Sequence, residues 1–265
     1  MKMKSSDLKR ALDTSISIYA SKIGENDKLF IKRNFSEGLK KYKDRLAAIN
    51  FRGHSRVLDA GCGYGQWALA LSQLNSEVSA CDISNQRIDF LSELVSQIRV
   101  ENIIPRVGEL NTLPYPDKYF DAVFCYGAIF VTPWRESLAE LGRVLRPGGR
   151  LYLSANGVGW YLFLWEEEHN KTADYDPKSI AAKSFLDTLT YDRERRYRKG
   201  MQLMINPEEM KNNLYELKFE QVEVASEGSL HVDQDSAPPQ PFFRGLYKNQ
   251  LSVFEVTAVK ANDLS

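Results

Sequence analysis

The run from Val57 to Gly65 constrains the fold of this chain more than any other feature. It consists of two apolar residues, the acid Asp59 and a turn with three glycines, and residues 66–71 then favour a helix. Glycine permits backbone conformations closed to other residues and lets a ligand approach the main chain closely. A second acid, Asp82, follows about 20 residues later, where a nucleotide-binding sheet offers a carboxylate to ribose hydroxyls.

Apolar segments and helix-like segments alternate from about residue 55 to residue 155. This alternation predicts a doubly wound parallel sheet with right-handed crossovers. Ligands bind such sheets outside the carboxyl ends of the strands, where we expect Asp59, Asp82 and Cys125. The predicted strands are 56–59, 77–82, 106–108, 120–125 and 150–155, and the clearest helices between them are 86–100, with Ser84 as a cap, and 136–145.

The segments outside this alternating region are expected to be additions to the sheet. Residues 1–50 are polar, with apolar residues at helical spacing, and predict an N-terminal helical cap. The basic run Lys40 to Arg45 is predicted to be a solvated helix face. Residues 51–265 are then the main domain, with an inserted lid at about 156–205, a helix that starts at Asn206-Pro207 and strands at 219–225 and 251–259.

Composition predicts an ordinary protein of the cytoplasm. Of the 265 residues, 43% are hydrophobic, and equal numbers of acidic and basic residues give zero net charge. No bulk field therefore attracts nucleic acid or anionic lipid. The longest apolar run, Trp160 to Trp165, is far shorter than the roughly 20 residues of a membrane span, and the N-terminus lacks the apolar stretch of a signal peptide. The three cysteines have no paired spacing and are expected to be free thiols.

Five segments in order resemble the class I S-adenosylmethionine-dependent methyltransferases. The likeness covers about residues 50–155 and again 206–259, and it is closest to the group that methylates small metabolites. It implies a mostly parallel, seven-stranded Rossmann-like sheet with an antiparallel last strand. The segments are Val57 to Gly65, Cys81 to Ser84, Leu113 to Asp117 before Phe120 to Val123, Leu138 to Glu140 with Arg143 to Gly149, and Phe219 to Val222.

The resemblance implies S-adenosylmethionine as the cofactor and S-adenosylhomocysteine as the product. In this family the residue at Asp59 holds the methionine ammonium, and the one at Asp82 accepts both ribose hydroxyls. A dinucleotide is the less favoured ligand, because Asp59 would repel its phosphates and Gln66 stands where that fingerprint prefers glycine or alanine. The full set of cofactor-binding candidates is Asp59, Gly61, Gly63, Gly65, Asp82, Ile83, Glu109, Leu110, Cys125 and Tyr126.

Two positions depart from the family pattern. Glu109 stands where an aspartate usually accepts from the adenine amino group, although Leu110 can still cover the adenine ring. Phe130 stands where a histidine often follows the fourth strand, and phenylalanine cannot transfer a proton. His169, in the predicted lid, is therefore the candidate catalytic base, and a surface histidine beside a run of glutamates is the alternative.

The predicted function is methyl transfer to an oxygen or nitrogen of a small-molecule metabolite. The aromatic run at 160–165 suggests an apolar lid or acceptor pocket, which is compatible with a core helix of the insertion. Arginines at 193–198 favour an anionic acceptor, or else a solvated helix flank. The acceptor is therefore expected to be aromatic or anionic. Two alternatives remain. One is a tRNA or rRNA methyltransferase, disfavoured by neutral charge, and the other is a cofactor-binding regulator without turnover. Cys62, Cys81 and Cys125 are all expected near carboxyl ends of strands, where three thiols could bind a soft metal. Small buried cysteines are common in tight sheets, however, so no metal site is expected.

Overall fold

The computed structural model describes residues 5–262 of the chain. In chain order its elements are α1 (Ser5–Ile18), α2 (Glu25–Phe35), α3 (Lys40–Ala48), β1 (Arg56–Ala60), α4 (Gln66–Ser72), β2 (Glu77–Asp82), α5 (Asn85–Gln97), β3 (Ile103–Val107), β4 (Phe120–Cys125), α6 (Trp134–Val144), β5 (Leu145–Asn156), α7 (Val158–Glu167), α8 (Pro177–Glu194), α9 (Pro207–Glu216), β6 (Phe219–Ser226), β7 (Leu246–Tyr247), β8 (Gln250–Leu251) and β9 (Val253–Lys260).

The central sheet has seven strands in the order β3-β2-β1-β4-β5-β9-β6. Neighbours from β3 to β5 are parallel, and β9 is antiparallel to both β5 and β6. The predicted doubly wound, mostly parallel sheet with an antiparallel last strand is therefore confirmed. Strand order reverses between β1 and β4, so the ligand crevice of this sheet is expected at the carboxyl ends of these two strands.

The buried strands form because both faces of the sheet are covered. All six residues of β4 are buried, as expected for an apolar strand between two helical layers. Successive side chains point to opposite faces. Phe124 thus packs in the same core as Leu69 and Phe51, while Val123 packs in a second core with Leu138.

Three strand predictions are shifted by the structure, and the one made for 251–259 is Val253–Lys260. The third strand is Ile103–Val107 rather than 106–108, and it includes Pro105, which a strand at the sheet edge tolerates. The fifth strand starts at Leu145 and not at Arg150. Leu145 pairs with Phe120 and Arg150 with Ala122, so the proline-glycine segment between them is an irregularity within the strand.

Two predicted helix caps are confirmed. The Ser84 side chain accepts from the backbone N–H of Arg87 at the start of α5. The Asn206 side chain accepts from the N–H groups of Glu208 and Glu209 at the start of α9. A side-chain cap of this kind is worth about 1 kcal/mol, so both helix starts are encoded locally.

Helices precede the sheet and follow its fifth strand. Three of them, α1 to α3, lie in the first 50 residues, and α7 and α8 lie in the segment predicted as a lid. Tyr19 packs edge-on against Phe90 of α5, and α7 packs on α8 through Tyr161 and Phe185. The division into a cap, a domain and a lid stays a prediction. No helix within residues 5–262 is long and apolar enough to cross a membrane.

Candidate active site

The loop between β1 and α4 can be built only with glycine at key positions. Gly61 has a φ of 81° and Gly65 a φ of 92°, in the left-handed region. A Cβ at Gly61 would lie 2.4 Å from the Cβ of Ala128, and one at Gly65 would lie 2.3 Å from Leu91 Cδ1. The loop is thus packed between α5 and the segment after β4, which explains why the sequence places glycines there.

Asp59 lies near the end of β1 and is only 1% exposed. The backbone N–H of Ala68 donates to its carboxylate, but its Oδ2 has no hydrogen-bond partner among the described residues. Burial, with a smaller contribution from the charge of Asp82, raises the pKa of Asp59 to about 8. A buried, incompletely paired carboxylate is costly by itself, so this position favours a cationic ligand.

Asp82, at the end of β2, ties the glycine loop to the start of α5. Its Oδ2 accepts from the N–H of Gly63 at 3.0 Å, and its Oδ1 accepts from the N–H of Ser84 at 2.9 Å. An ionised carboxylate has about four lone-pair sites. Two of them are used here and Arg87 Nη1 lies 3.7 Å from Oδ2, so the carboxylate keeps acceptor sites for hydroxyl donors of a ligand.

The other residues predicted to contact the nucleoside lie around the ends of β2 and β3. The N–H of Gly108 donates to the carbonyl of Asp82, which holds the segment after β3 beside the end of β2. Ile83 is 58% exposed, Leu110 is buried, and Glu109 forms a β-bridge with Thr112. An exposed isoleucine next to an acid is suited to cover one face of a base.

A cavity of about 650 Å³ begins at Tyr126 and Gly127, immediately after β4. Asp59, Asp82, Ile83, Glu109, Leu110 and Cys125 are not among its lining residues. Its walls come from α2, α3, α4, β5, α7, α8, β9, the turn after α7, the segment after α8 and the loop before β7. The rings that line it are Phe30, Tyr42, Trp67, Tyr126, Phe130, Trp160, Tyr175, Phe242 and Phe243.

Polar groups are concentrated where the cavity meets the sheet. The Ser154 hydroxyl accepts from the N–H of Gly127 at 2.9 Å, and Asn156 lies two residues further on β5. The Oε1 of Gln66 is buried without a partner among residues 5–262. His169 also lines the cavity, from an exposed turn, and its ring centre lies 4.8 Å from that of Phe163.

A buried ion network lies behind one wall of the cavity. Arg45 is 0% exposed, and its Nη1 lies 2.9 Å from both Glu227 Oε1 and Glu255 Oε2. The Tyr152 hydroxyl donates to Glu255 at 2.6 Å, and Arg45 Nη2 donates to the carbonyl of Gln240. The prediction that the run 40–45 is a solvated helix face is therefore wrong at Arg45, and also at Tyr42, which is buried.

Glu227 connects this network to the cavity wall. Its Oε1 accepts from the Tyr126 hydroxyl at 2.9 Å, and its Oε2 accepts from the N–H groups of Phe242 and Phe243. Burial, and then the charge of Glu227, raises the pKa of Tyr126 far above its ordinary value. The phenol is therefore neutral, and Glu227 fixes three aromatic rings of the cavity. Sequence analysis missed this network, although Glu255 within an apolar strand was a usable signal.

Two other candidate features lie away from the cavity. Cys62, Cys81 and Cys125 are free and buried, and burial raises the pKa of each thiol. Among residues 5–262 no group of three His, Cys, Asp or Glu side chains could hold a metal ion. The arginine stretch 193–198 is exposed, with salt bridges to neighbouring acids, and its members do not line the cavity.

Comparisons with known proteins agree with this geometry. A methyltransferase-domain family matches residues 57–149, the segment with both acids and the glycine loop. Residues 57–149 are therefore similar to a methyltransferase domain, which supports the resemblance to the class I S-adenosylmethionine-dependent methyltransferases over that segment. The solved structure of YcgJ from Bacillus subtilis has the same fold, with a TM-score of 0.53 at 20% identity over 84% of this chain and 99% of that one.

Curated relatives of the methyltransferase domain share less than two thirds of their length with this chain. An uncharacterized methyltransferase YcgJ of Bacillus subtilis is 35% identical over 38% of this chain and 41% of its own. The 27-O-demethylrifamycin SV methyltransferase of Amycolatopsis mediterranei is 32% identical over 44% of each chain. The demethylmenaquinone methyltransferase of Deinococcus radiodurans is 36% identical over 46% of this chain and 53% of its own. Most cavity-lining residues lie outside the family match at 57–149.

Proposed function

We propose that this protein transfers a methyl group from S-adenosylmethionine to an oxygen or nitrogen of a small-molecule metabolite. The observation that carries the proposal is the aromatic cavity after β4. Its volume of about 650 Å³ lies within the usual range of small-molecule sites, about 300–1,000 Å³. Asp59 pairs in register with Phe124 of β4, so the unpaired carboxylate and the cavity are at the same end of the sheet.

The residues at the strand ends fit the cofactor. The unpartnered Oδ2 of Asp59 would accept from the methionine ammonium, and the remaining lone pairs of Asp82 would accept from the ribose hydroxyls. Gly61, Gly63 and Gly65 would let the main chain contact the methionine portion. The base would lie among Ile83, Glu109 and Leu110, with Cys125 and Tyr126 towards the methyl group. The bound cofactor supplies a methyl group already activated on a sulfonium.

The chain's own contribution is mainly alignment. Rings of the cavity would hold the acceptor in line with the methyl group and exclude water. Reactions between groups aligned in this way reach effective molarities of about 10⁵–10⁸ M. For a hydroxyl acceptor, a ring nitrogen of His169 would accept the proton, with a gain of about 10²–10⁴-fold. For an amine that is already neutral, this step is dispensable.

Two relatives support a small-molecule acceptor. Their names give demethylmenaquinone and 27-O-demethylrifamycin SV as the compounds methylated. The rival RNA methyltransferase would need a basic surface for the phosphate backbone, whereas this chain has zero net charge. The acceptor of neither relative is assigned to this chain, because the cavity is built largely from residues outside the family match.

The test is the fate of a labelled methyl group. The protein is incubated with methyl-labelled S-adenosylmethionine and a cell extract, which is then separated into small molecules, RNA and protein. We expect label in the small-molecule fraction. Asp82→Ala should weaken S-adenosylhomocysteine binding by about 1.5–3 kcal/mol and reduce labelling, because it removes charged hydrogen bonds. Label in RNA alone, or tight binding without any transfer, would contradict the proposal.

Cofactor affinity should depend on pH through Asp59. Its pKa of about 8 in the unliganded protein means that the carboxyl is mostly protonated at pH 6 to 7, whereas an ammonium ligand requires the ionised form. Binding of S-adenosylhomocysteine should therefore weaken as pH falls below about 8, by up to about tenfold per pH unit. Calorimetric titration between about pH 6 and pH 8 measures this slope.

Asp59→Asn provides the control for that slope. The amide keeps the shape of the side chain but does not titrate, so the variant should bind weakly with little pH dependence over the same range. An equally steep slope in Asp59→Asn would assign the pH dependence to another group. A flat profile in the unmodified protein would remove Asp59 from the ammonium site.

A further inference from the structure

Two cations lie on the wall of the cavity formed by α2 and α3. Arg33 and Lys41 both line it. The Arg33 guanidinium lies 5.9 Å from the ring centre of Phe30, and the Lys41 ammonium lies 4.3 Å from that of Phe242. Neither forms a salt bridge with a carboxylate of residues 5–262. Cation–π contact leaves the positive charge without a counter-ion, so both groups retain the capacity to bind an anion.

The wall formed by α2 and α3 has a net positive charge even when Glu37 is counted with Arg33 and Lys41. Glu37 also lines the cavity but is not within salt-bridge distance of either cation. Helix α3 begins at Lys40 with no side-chain cap, and the partial positive charge of a helix start has the same sign as the two side chains. An anionic group of the ligand is therefore favoured here, beside rings that favour an apolar body.

Phe242 connects the Lys41 ammonium with Tyr126, near the proposed point of methyl transfer. Phe242 contacts both Lys41 and Tyr126, and the ring centres of Phe242 and Tyr126 are 6.0 Å apart. Tyr126 immediately follows β4, where the proposed reaction takes place. The Phe242 ring thus lies next to both the Lys41 ammonium and Tyr126, whereas the arginines at 193–198 do not line the cavity.

We propose that the methyl acceptor is a hydroxy- or amino-substituted aromatic carboxylic acid, whose carboxylate binds Arg33 and Lys41. This inference rests on the proposed methyl transfer. The rings of Trp67, Trp160 and Phe242 would contact the aromatic body. The carboxylate, about one ring away from the reacting oxygen or nitrogen, would fix which substituent faces the methyl group.

The experiment compares acids with their uncharged counterparts. The probes are para-hydroxybenzoate, para-aminobenzoate and para-hydroxycinnamate, each paired with its primary amide. Binding is measured with S-adenosylhomocysteine present, through quenching of tryptophan fluorescence, since Trp67 and Trp160 line the cavity. Turnover is measured separately as release of S-adenosylhomocysteine. At least one acid should bind about tenfold or more tightly than its amide, as expected for charged hydrogen bonds.

Variants locate the anion site. Arg33→Met and Lys41→Met keep the apolar stem of each side chain and remove its charge. Each should weaken binding of the preferred acid by about tenfold and raise its KM with little change in kcat. Binding of the amide and of S-adenosylhomocysteine should not change. Lys40→Met is the matched control, because Lys40 is exposed, pairs with Asp44 and does not line the cavity.

The outcomes separate this inference from the proposed function. No binding by any acid, equal affinity for acid and amide, or equal losses in Lys40→Met and Lys41→Met would overturn the anion site. Methylation of a neutral compound by a protein that binds none of the acids would overturn the anion site alone. Tight acid binding that depends on Arg33 and Lys41, without turnover of any bound acid, would support the anion site and count against methyl transfer to these acids.

Discussion

Arg45→Met should lower the free energy of unfolding by about 3–5 kcal/mol, the usual cost of breaking a buried ion pair. The substitution leaves Glu227 and Glu255 buried without their cation and removes the donor to the carbonyl of Gln240. Methionine has similar bulk, so the loss arises mainly from unpaired charge and not from a cavity. Urea denaturation followed by circular dichroism measures the change.

The destabilisation by Arg45→Met should also depend on pH. Burial raises the pKa of Glu255 even with Arg45 present, and removal of the cation raises it further. A carboxyl with a raised pKa in the folded state contributes stability at low pH, which is lost as pH rises through that pKa. The difference between variant and unmodified protein should therefore be larger at about pH 8 than at about pH 5.

Two further variants test the cause of this loss. Lys40→Met, on the same helix, removes an exposed pair with Asp44 and should cost less than about 1 kcal/mol. Adding Glu227→Gln and Glu255→Gln to Arg45→Met removes both unpaired charges and should recover part of the stability. A loss in Arg45→Met no greater than in Lys40→Met would show that the buried pairs contribute little.

Gly61→Ala should abolish measurable cofactor binding and lower the free energy of unfolding by about 2–4 kcal/mol. The positive φ of 81° is unfavourable for alanine, and its Cβ would lie 2.4 Å from the Cβ of Ala128. Neither atom is the end of a flexible side chain, so the loop itself must move away from its ligand-binding conformation. Calorimetric titration with S-adenosylhomocysteine and urea denaturation measure the two effects.

The two causes of this loss can be separated. Gly53→Ala has a similar φ of 77° but open space around the new Cβ, so it should show only the conformational cost of about 1–2 kcal/mol. Ala128→Gly combined with Gly61→Ala removes the overlap and should bring the loss down to the level of Gly53→Ala. If the double variant remains as unstable as Gly61→Ala, the contact with Ala128 is not the cause.

Local sequence signals were sufficient for most strands of the sheet and for the glycine loop. Strand β4 was predicted at its observed bounds because an unbroken apolar run is typical of a strand covered on both faces. The caps at Ser84 and Asn206 were predicted because their hydrogen bonds join residues two or three positions apart. The start of β5 was missed because Pro147 to Gly149, typical of a turn, lie within an irregular strand.

The amino-acid sequence by itself determined the fold class and the end of the sheet where the strand-end acids lie, because strands, helices and the glycine loop are encoded by short segments of chain. Only the tertiary structure decided the aromatic cavity and the burial of Arg45. The cavity joins α2, α3, α7 and the loop after β6, and Arg45 meets Glu255 across 210 positions of chain. Whether a cation is solvated or buried depends on such distant partners, and no periodicity within its own helix encodes them.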